Sequence, residues 1–312
     1  MKFDICVLGG CSLDLIYYQK EDGTYENVPN ECVPGGKGSN QAVAASRAGA
    51  KTVMISRVGK DDIGRNIIQN LEDNDVSTIG VEEDENVEND YSIIKIRNID
   101  KDNEIESHNG AIKNFTPDMI DTYQDLLLNS KIIVCQLKVN KDVTEKLINF
   151  CYENHKMLML TPCRPAKLSI TDPENIELIN KISIITCNKK ECETIFQTDD
   201  IESCVKKYPR KLIVTLGKDG LIYYDGTQIV RMPAIETEVV DTVGAGDTLA
   251  GNLAANLTKG LNLYDALKRA TYASAMKIGV KSAQAGMPTS SELDNFILEK
   301  EGQKRNYKIS SF

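Results

Sequence analysis

VVDTVGAGDTLAGNLAANL, residues 239–257, runs from an apolar pair through a glycine-rich turn into a helical stretch of Ala, Leu and Asn. Gly244 and Gly246 permit a turn in which successive backbone N–H groups point the same way, just ahead of the helix. Those N–H groups and the positive end of the helix dipole together form an anion hole. Asp247 falls in the first turn, where the dipole favours an ionised carboxylate. A carboxylate beside an anion hole can take a proton from a hydroxyl while the hole receives charge on a transferring phosphoryl group. The residues alone leave a plainer reading equally open, because Asp is a frequent helix N-cap.

Outward from this turn, short apolar runs alternate with amphipathic stretches. FDICVLGG, KTVMISRVG, KIIVCQL, HKMLMLTPC, ISIITCN and KLIVTLG read as buried strands that end in Gly or polar residues. Between them GSNQAVAASRAGA, IGRNIIQNLEDNDV, VTEKLINFCYENH and the long GNLAANLTKGLNLYDALKRATYASAMKIG read as helices. This alternation predicts an α/β fold, a doubly wound and mainly parallel sheet. Two stretches, 15–34 and 90–109, instead alternate apolar with polar residues around Asp-Gly and Asp-Lys-Asp-Asn turns. They predict antiparallel hairpins forming a small β lid over the crevice where such sheets bind ligands. The C-terminal EKEGQKRNYKISSF reads as a solvated end.

Composition narrows the function classes. The 312 residues are 41% hydrophobic and 27% charged, an ordinary globular balance. A net charge of −9 disfavours nucleic acid or an anionic membrane as a general partner. Nine scattered cysteines with no CxxC pair, beside two histidines, argue against a zinc site and for reduced, buried thiols. No apolar run reaches the roughly 18 residues of a membrane span, and the N-terminus does not read as a signal peptide. A cytoplasmic protein is expected. GxxxxGK[ST] is absent, which excludes a P-loop, and the glycines of VGAGDTLAG miss the dinucleotide fingerprint.

DTVGAGDTLAG resembles the C-terminal signature of the ribokinase-like carbohydrate kinases, the PfkB family. PGGKGSNQAVAASRAGA, at 34–50, resembles their N-terminal signature, in its ribokinase form. VGKDDIG, HNGA, NKKE and VTLGKDG fall between in family order, so the likeness covers nearly the whole chain as a single kinase domain, 1–312. It implies the ribokinase-like fold and transfer of the γ-phosphate of MgATP to a primary hydroxyl of a sugar, ribose or a similar pentose or ketose. Carried over residue by residue, Asp247 is the catalytic base, with Gly244, Ala245 and Gly246 as its anion hole. Asp14, Gly36, Lys37 and Asn40 become sugar contacts, offering acceptors and donors for vicinal hydroxyls. Asn188 contacts phosphate, Glu191 places Mg2+ through water, and Thr215, Gly217 and Gly220 belong to the ATP-binding turn. From the residues alone, Asn188 serves equally as a helix cap, and the ATP turn as a strand followed by a hairpin.

The resemblance also implies a monovalent-cation site for K+. Its ligands would be the Asp241 carboxylate and carbonyls of Val243, Lys277, Val280 and Ser282, with Gly286 where a ribokinase side-chain ligand stands. A homodimer paired through the lid is implied as well. Two departures touch the sugar. Lys138 stands where ribokinases carry a Glu that touches substrate, and Thr161 where they usually carry Asn. A Lys138 facing the pocket would suit an acidic sugar or a sugar phosphate. A nucleoside kinase and a non-catalytic sugar or nucleotide sensor share the same fold-level signals.

Overall fold

A computed structural model describes residues 2–97, 103–136, 140–163 and 173–310. The chain begins with β1 (Phe3–Leu8), then passes into β2 (Ser12–Tyr18) and β3 (Glu31–Gly35) before α1 (Lys37–Arg47). There follow β4 (Thr52–Gly59), α2 (Asp62–Asp73), β5 (Ser77–Asp84), β6 (Asp90–Ile96) and β7 (Asn103–His108). Two short helices, α3 (Asp118–Thr122) and α4 (Gln124–Leu128), lead to β8 (Ser130–Gln136), α5 (Lys141–Glu153), β9 (Met157–Thr161) and α6 (Pro173–Lys181). After these come β10 (Ile184–Asn188), α7 (Lys189–Phe196), α8 (Ile201–Lys207) and β11 (Leu212–Thr215). The chain closes with the hairpin β12 (Leu221–Tyr224) and β13 (Ile229–Met232), then α9 (Ala245–Thr258), α10 (Leu263–Ile278) and α11 (Ser290–Ser310).

Nine strands form the main sheet in the order β13-β12-β11-β10-β9-β8-β1-β4-β5. Pairings from β5 through to β11 are parallel, and the β11–β12 and β12–β13 pairings are antiparallel, so β12 runs against the other strands. The six runs read as strands are all in this sheet. They are continuous apolar runs because both sheet faces are covered. In β1, Ile5 and Val7 enter one core with α1, α9 and α10, while Cys6 and Leu8 enter the other with α5, α7 and α8. Each such Ile or Val contributes about 1.5–3 kcal/mol by leaving water.

Beyond β1 the chain builds the sheet outward through β4 and β5, and from β8 it builds the other way. The direction reverses between neighbouring β1 and β8, so the crevice lies beyond their carboxyl ends. A second, four-stranded sheet, β3-β2-β6-β7, contains both predicted hairpins. Each hairpin is antiparallel, but β2 joins β6 in parallel register, so this second sheet is mixed at its centre.

The long stretch read as helical between 251 and 279 is two helices. Gly260 takes φ +87, a left-handed conformation that stops α9, and Asn262 caps α10 by accepting from the Asp265 N–H. β5 carries no continuous apolar run, since only Gly80 of its eight residues is buried, and the sequence reading does not contain it. The terminal stretch read as a solvated end continues the backbone of α11 as far as Ser310.

Candidate active site

α1 and α9 both start from glycines with positive φ, Gly36 at +92 and Gly244 at +81, and neither has a side-chain cap. In both places another residue is excluded by contact as well as by conformation. A Cβ on Gly36 would come within 2.7 Å of the Ser12 N, and one on Gly244 would collide with the Ala283 carbonyl. The α9 start is therefore an open donor end. The Ala245 N–H turns back to the Thr242 carbonyl at 3.2 Å, while the Gly246 and Asp247 N–H groups take no backbone acceptor in the turn. Gly246 is exposed, and a Cβ built on it meets no atom within 4 Å.

Asp247 lies one position further, 9% exposed. Its Oδ1 accepts from Gln41 Nε2 at 2.8 Å and its Oδ2 from Asn40 Nδ2 at 3.1 Å. α1 reaches α9 this closely because Gly251 faces Ala44 and the Gln41 carbonyl, each 2.6 Å from where a Cβ would stand. Burial raises the Asp247 pKa above the ordinary carboxylate value, against the opposing pull of Lys37, Gln41 and Asn40. The carboxylate is thus a stronger base than an exposed Asp. It takes no capping bond, so the N-cap reading fails: Gly244 is the cap.

Gln41 ties this carboxylate to the sheet. Its Nε2 also donates to Thr161 Oγ1 at 2.9 Å, and its Oε1 accepts from Gln136 Nε2 at 2.6 Å. Thr161, the departure noted in the sequence, is a member of this buried network. Asn40, expected as a sugar contact, is engaged with Asp247 and accepts from Gln284 Nε2 at 2.9 Å. Gln41, Gln136 and Gln284 received no role from the sequence. Gln41 was within the quoted GSNQ signature, but nothing local tells that its amide reaches a carboxylate 206 residues on.

Lys37 opens α1, and its Nζ donates to the Pro162 carbonyl at 3.2 Å and lies 3.6 Å from Glu191 Oε1. Burial works against its charge, but the fields of Cys163, Asp247 and Glu191 prevail and raise its pKa. Asp14 stands half-buried on β2 with Oδ2 3.0 Å from a Cβ position on Gly35, beside the head of α1. Gly36, Lys37 and Gln136 line a narrow crevice with Ser12 and Asp90, under the second sheet. Lys138 lies outside the described residues.

On the other side of Glu191, Asn188 and Glu191 form a reciprocal capping box at the start of α7. Asn188 Oδ1 accepts from the Glu191 N–H at 2.9 Å, and Glu191 Oε2 from the Asn188 N–H at 3.0 Å. Capping accounts for one Glu191 oxygen and leaves Oε1 toward Lys37. Asn188, Thr215 and Gly217 line an open cleft of about 1010 Å3, with Lys190 and Thr242. Gly220 does not line it; a Cβ there would collide with the Met232 carbonyl, so the hairpin requires this glycine. Thr242 carries the cleft to the anion hole.

Among the described residues no three His, Cys, Asp or Glu side chains cluster to hold a metal. A lone Glu191 oxygen beside this cleft fits Mg2+ carried on nucleotide phosphates and water, which is how that ion is commonly held. K+ does not fit its expected ligands. The Lys277 side chain, not its carbonyl alone, enters the place, with Nζ 2.7 Å from the Asp241 carbonyl and 3.5 Å from the Val280 carbonyl. The Asp241 carboxylate accepts from the N–H groups of Val243 at 2.9 Å and Ser282 at 3.0 Å.

The model of the pfkB family carbohydrate kinases matches residues 2–290. The chain belongs to that family. It is an ATP-dependent sugar kinase, a phosphotransferase with an alcohol group as acceptor. A ribokinase of Lactococcus lactis is 35% identical over 304 residues, 95% of this chain and 98% of the relative. A ribokinase of Bacillus subtilis is 32% identical, covering 94% of this chain and 99% of the relative. A deoxyribokinase of Salmonella typhi is 30% identical, covering 94% and 98%. The solved Arabidopsis thaliana ribokinase complexed with ribose and ATP superposes with a TM-score of 0.82 at 21% identity, covering 95% of this chain and 99% of that one. A likeness at that identity speaks for the fold of the kinase.

Proposed function

We propose that this kinase phosphorylates ribose, with Asp247 as the general base, and that the chain is one kinase domain whose segments 15–34 and 90–109 form its lid. The observation that carries the reading is the Asp247 carboxylate, buried and basic, one residue from the exposed Gly246 N–H at an uncapped helix start. Asp247 takes the proton of the primary hydroxyl as its oxygen attacks the γ-phosphorus of ATP in line. The Gly246 and Asp247 N–H groups receive charge on the transferred group. Lys37 adds a positive charge on the same side. Mg2+ bound with ATP would supply neutralisation of phosphate charge, with Glu191 the residue that would hold its water.

Support for a pentose comes from both sides of the lid crevice. Gln136 lines it with a buried Oε1 that has no hydrogen-bond partner, an acceptor suited to a sugar hydroxyl. Gly36 and Lys37 line it, and with Asp14 and Asn40 they are the sugar contacts in this reading. The crevice has room for little more than a water, about 20 Å3, so entry requires the second sheet to lift. Relatives named ribokinase match at 35% and 32% identity and one named deoxyribokinase at 30%, which supports ribose ahead of 2-deoxyribose as the acceptor. In this reading the adenine nucleotide lies in the cleft along Thr215 and Gly217, with Asn188 at its phosphates. The lid's free edges, β3 and β7, are where two copies would pair as a homodimer. A cytoplasmic setting accords with cysteines that are buried at every position but Cys32.

An ADP-release screen over ribose, 2-deoxyribose, hexoses, sugar acids, sugar phosphates and nucleosides tests this. The highest kcat/KM is expected with ribose. A leading rate with an acidic sugar would turn the reading toward Lys138, one with a nucleoside toward that class. Binding with no phosphorylation of any of them would leave a sensor.

A further inference from the structure

The last turn of α10 contributes an ammonium group that phosphoryl transfer leaves without a task. Lys277 is 0% exposed. Its Nζ donates to the Asp241 carbonyl at 2.7 Å and to the Val280 carbonyl at 3.5 Å, and lies 3.9 Å from Asp241 Oδ2. Burial pulls the pKa of this group down, and Asp241 pulls it back up. A charge removed from water persists only where fixed oxygens replace the water. Here they do so at the carbonyl end of α10, where the helix dipole favours a cation. The opposite wall is closed, since a Cβ on Gly286 would stand 2.7 Å from the Lys277 carbonyl and 2.9 Å from Val280 Cβ.

These oxygens belong to two segments that shape the site. The Asp241 carboxylate accepts from the Val243 and Ser282 N–H groups, and so binds the approach to α9 to the loop after α10. That loop reaches the active site twice. The Ala283 carbonyl packs against Gly244, the start of the anion hole. Gln284 Nε2 donates to Asn40 Oδ1 at 2.9 Å, and Asn40 holds Asp247 Oδ2. Loss of the charge at Lys277 would leave two carbonyls and a carboxylate converging with nothing between them, and the loop free to shift under Gly244.

We propose that the Lys277 ammonium is this kinase's built-in monovalent cation: it takes the place among the Asp241 and Val280 oxygens that K+ would take, and it positions the anion hole without any added ion. Lys277 acts through Asp241 and the 280–284 loop and touches no substrate. The inference rests on the kinase reading for its activity arm alone.

Wild type, Lys277→Ala and Lys277→Met are freed of alkali ions and compared in KCl, NH4Cl and tetramethylammonium chloride at equal ionic strength. Thermal midpoint and ADP release with MgATP and ribose are both read. Wild type is expected to show one midpoint and, within about twofold, one kcat in all three salts. Lys277→Ala is expected to lose kcat at least tenfold in tetramethylammonium, with KCl or NH4Cl restoring midpoint and much of the rate, because the emptied cage can take an ion. Lys277→Met fills the same space without charge and is expected to be low in every salt. Several-fold activation of wild type by K+, or a midpoint that rises with K+, would overturn the proposal. So would a Lys277→Ala enzyme that is fully active in tetramethylammonium. Should neither variant fold, the wild-type salt comparison still decides. A wild type that releases no ADP in any salt counts against the kinase reading, while its midpoints still test Lys277.

Discussion

Gln41→Ala cuts the connection between the catalytic carboxylate and the sheet. Gln41 is 1% exposed and makes three side-chain contacts, at 2.8 Å to Asp247, 2.9 Å to Thr161 and 2.6 Å from Gln136. Losing a hydrogen bond to a charged group costs about 1.5–3 kcal/mol, and orphaning the buried Gln136 donor about 1–3 kcal/mol more. A water can enter so polar a gap, so the lower half of the sum applies, about 2.5–4 kcal/mol. The thermal midpoint should fall by on the order of 5 °C or more. The chemistry gives the sharper signature. Burial holds the Asp247 pKa up, and the Gln41 donor is one of the groups holding it down. Removing that donor raises the pKa further, so the ionised base is lost at a higher pH as solutions are made more acidic. The acid limb of kcat/KM, read by ADP release with limiting sugar, should move to higher pH. Thr161→Val leaves Gln41 on Asp247 and should leave the limb in place. A folded Gln41→Ala enzyme whose acid limb stays put or moves to lower pH would refute the linkage between Gln41 and the base.

The glycines around the anion hole separate stability from chemistry. Gly246→Ala places a methyl in open space at an ordinary backbone conformation, so calorimetry should find stability unchanged or raised by about 0.5–1 kcal/mol, while kcat falls at least tenfold. Gly244→Ala should instead destabilise by about 1–3 kcal/mol through its φ of +81, with added cost from the Ala283 carbonyl. Gly251→Val drives α1 from α9 against Ala44 and the Gln41 carbonyl. A urea midpoint lowered by an equivalent of about 1–3 kcal/mol is expected, together with loss of kcat as Asn40 and Gln41 withdraw from Asp247.

The sheet was legible because parallel strands buried on both faces leave unbroken apolar runs, as FDICVL does at β1. β5 lacks such a run, and the break after α9 depended on the left-handed conformation of one glycine, Gly260. At the site, the DTVGAGD turn announced its own helix start and carboxylate. What it could not announce was which N–H groups remain free, since the Thr242 carbonyl takes one of them. Long-range partners were equally silent: Gln41, Gln136 and Gln284 are ordinary amides until α1, β8 and the loop after α10 meet. Lys277 was read for its carbonyl alone, because a lysine at the end of a helix usually extends into solvent.

The central claim is that Asp247 is the base in transfer to the sugar hydroxyl. Asp247→Asn tests it most directly, with ATP and ribose binding measured by calorimetry beside kcat. The side chain keeps its size and one acceptor oxygen, so both affinities should stay within severalfold of wild type. kcat should fall by on the order of 10² or more. A variant that binds both substrates and turns over at a near-normal rate would contradict the account.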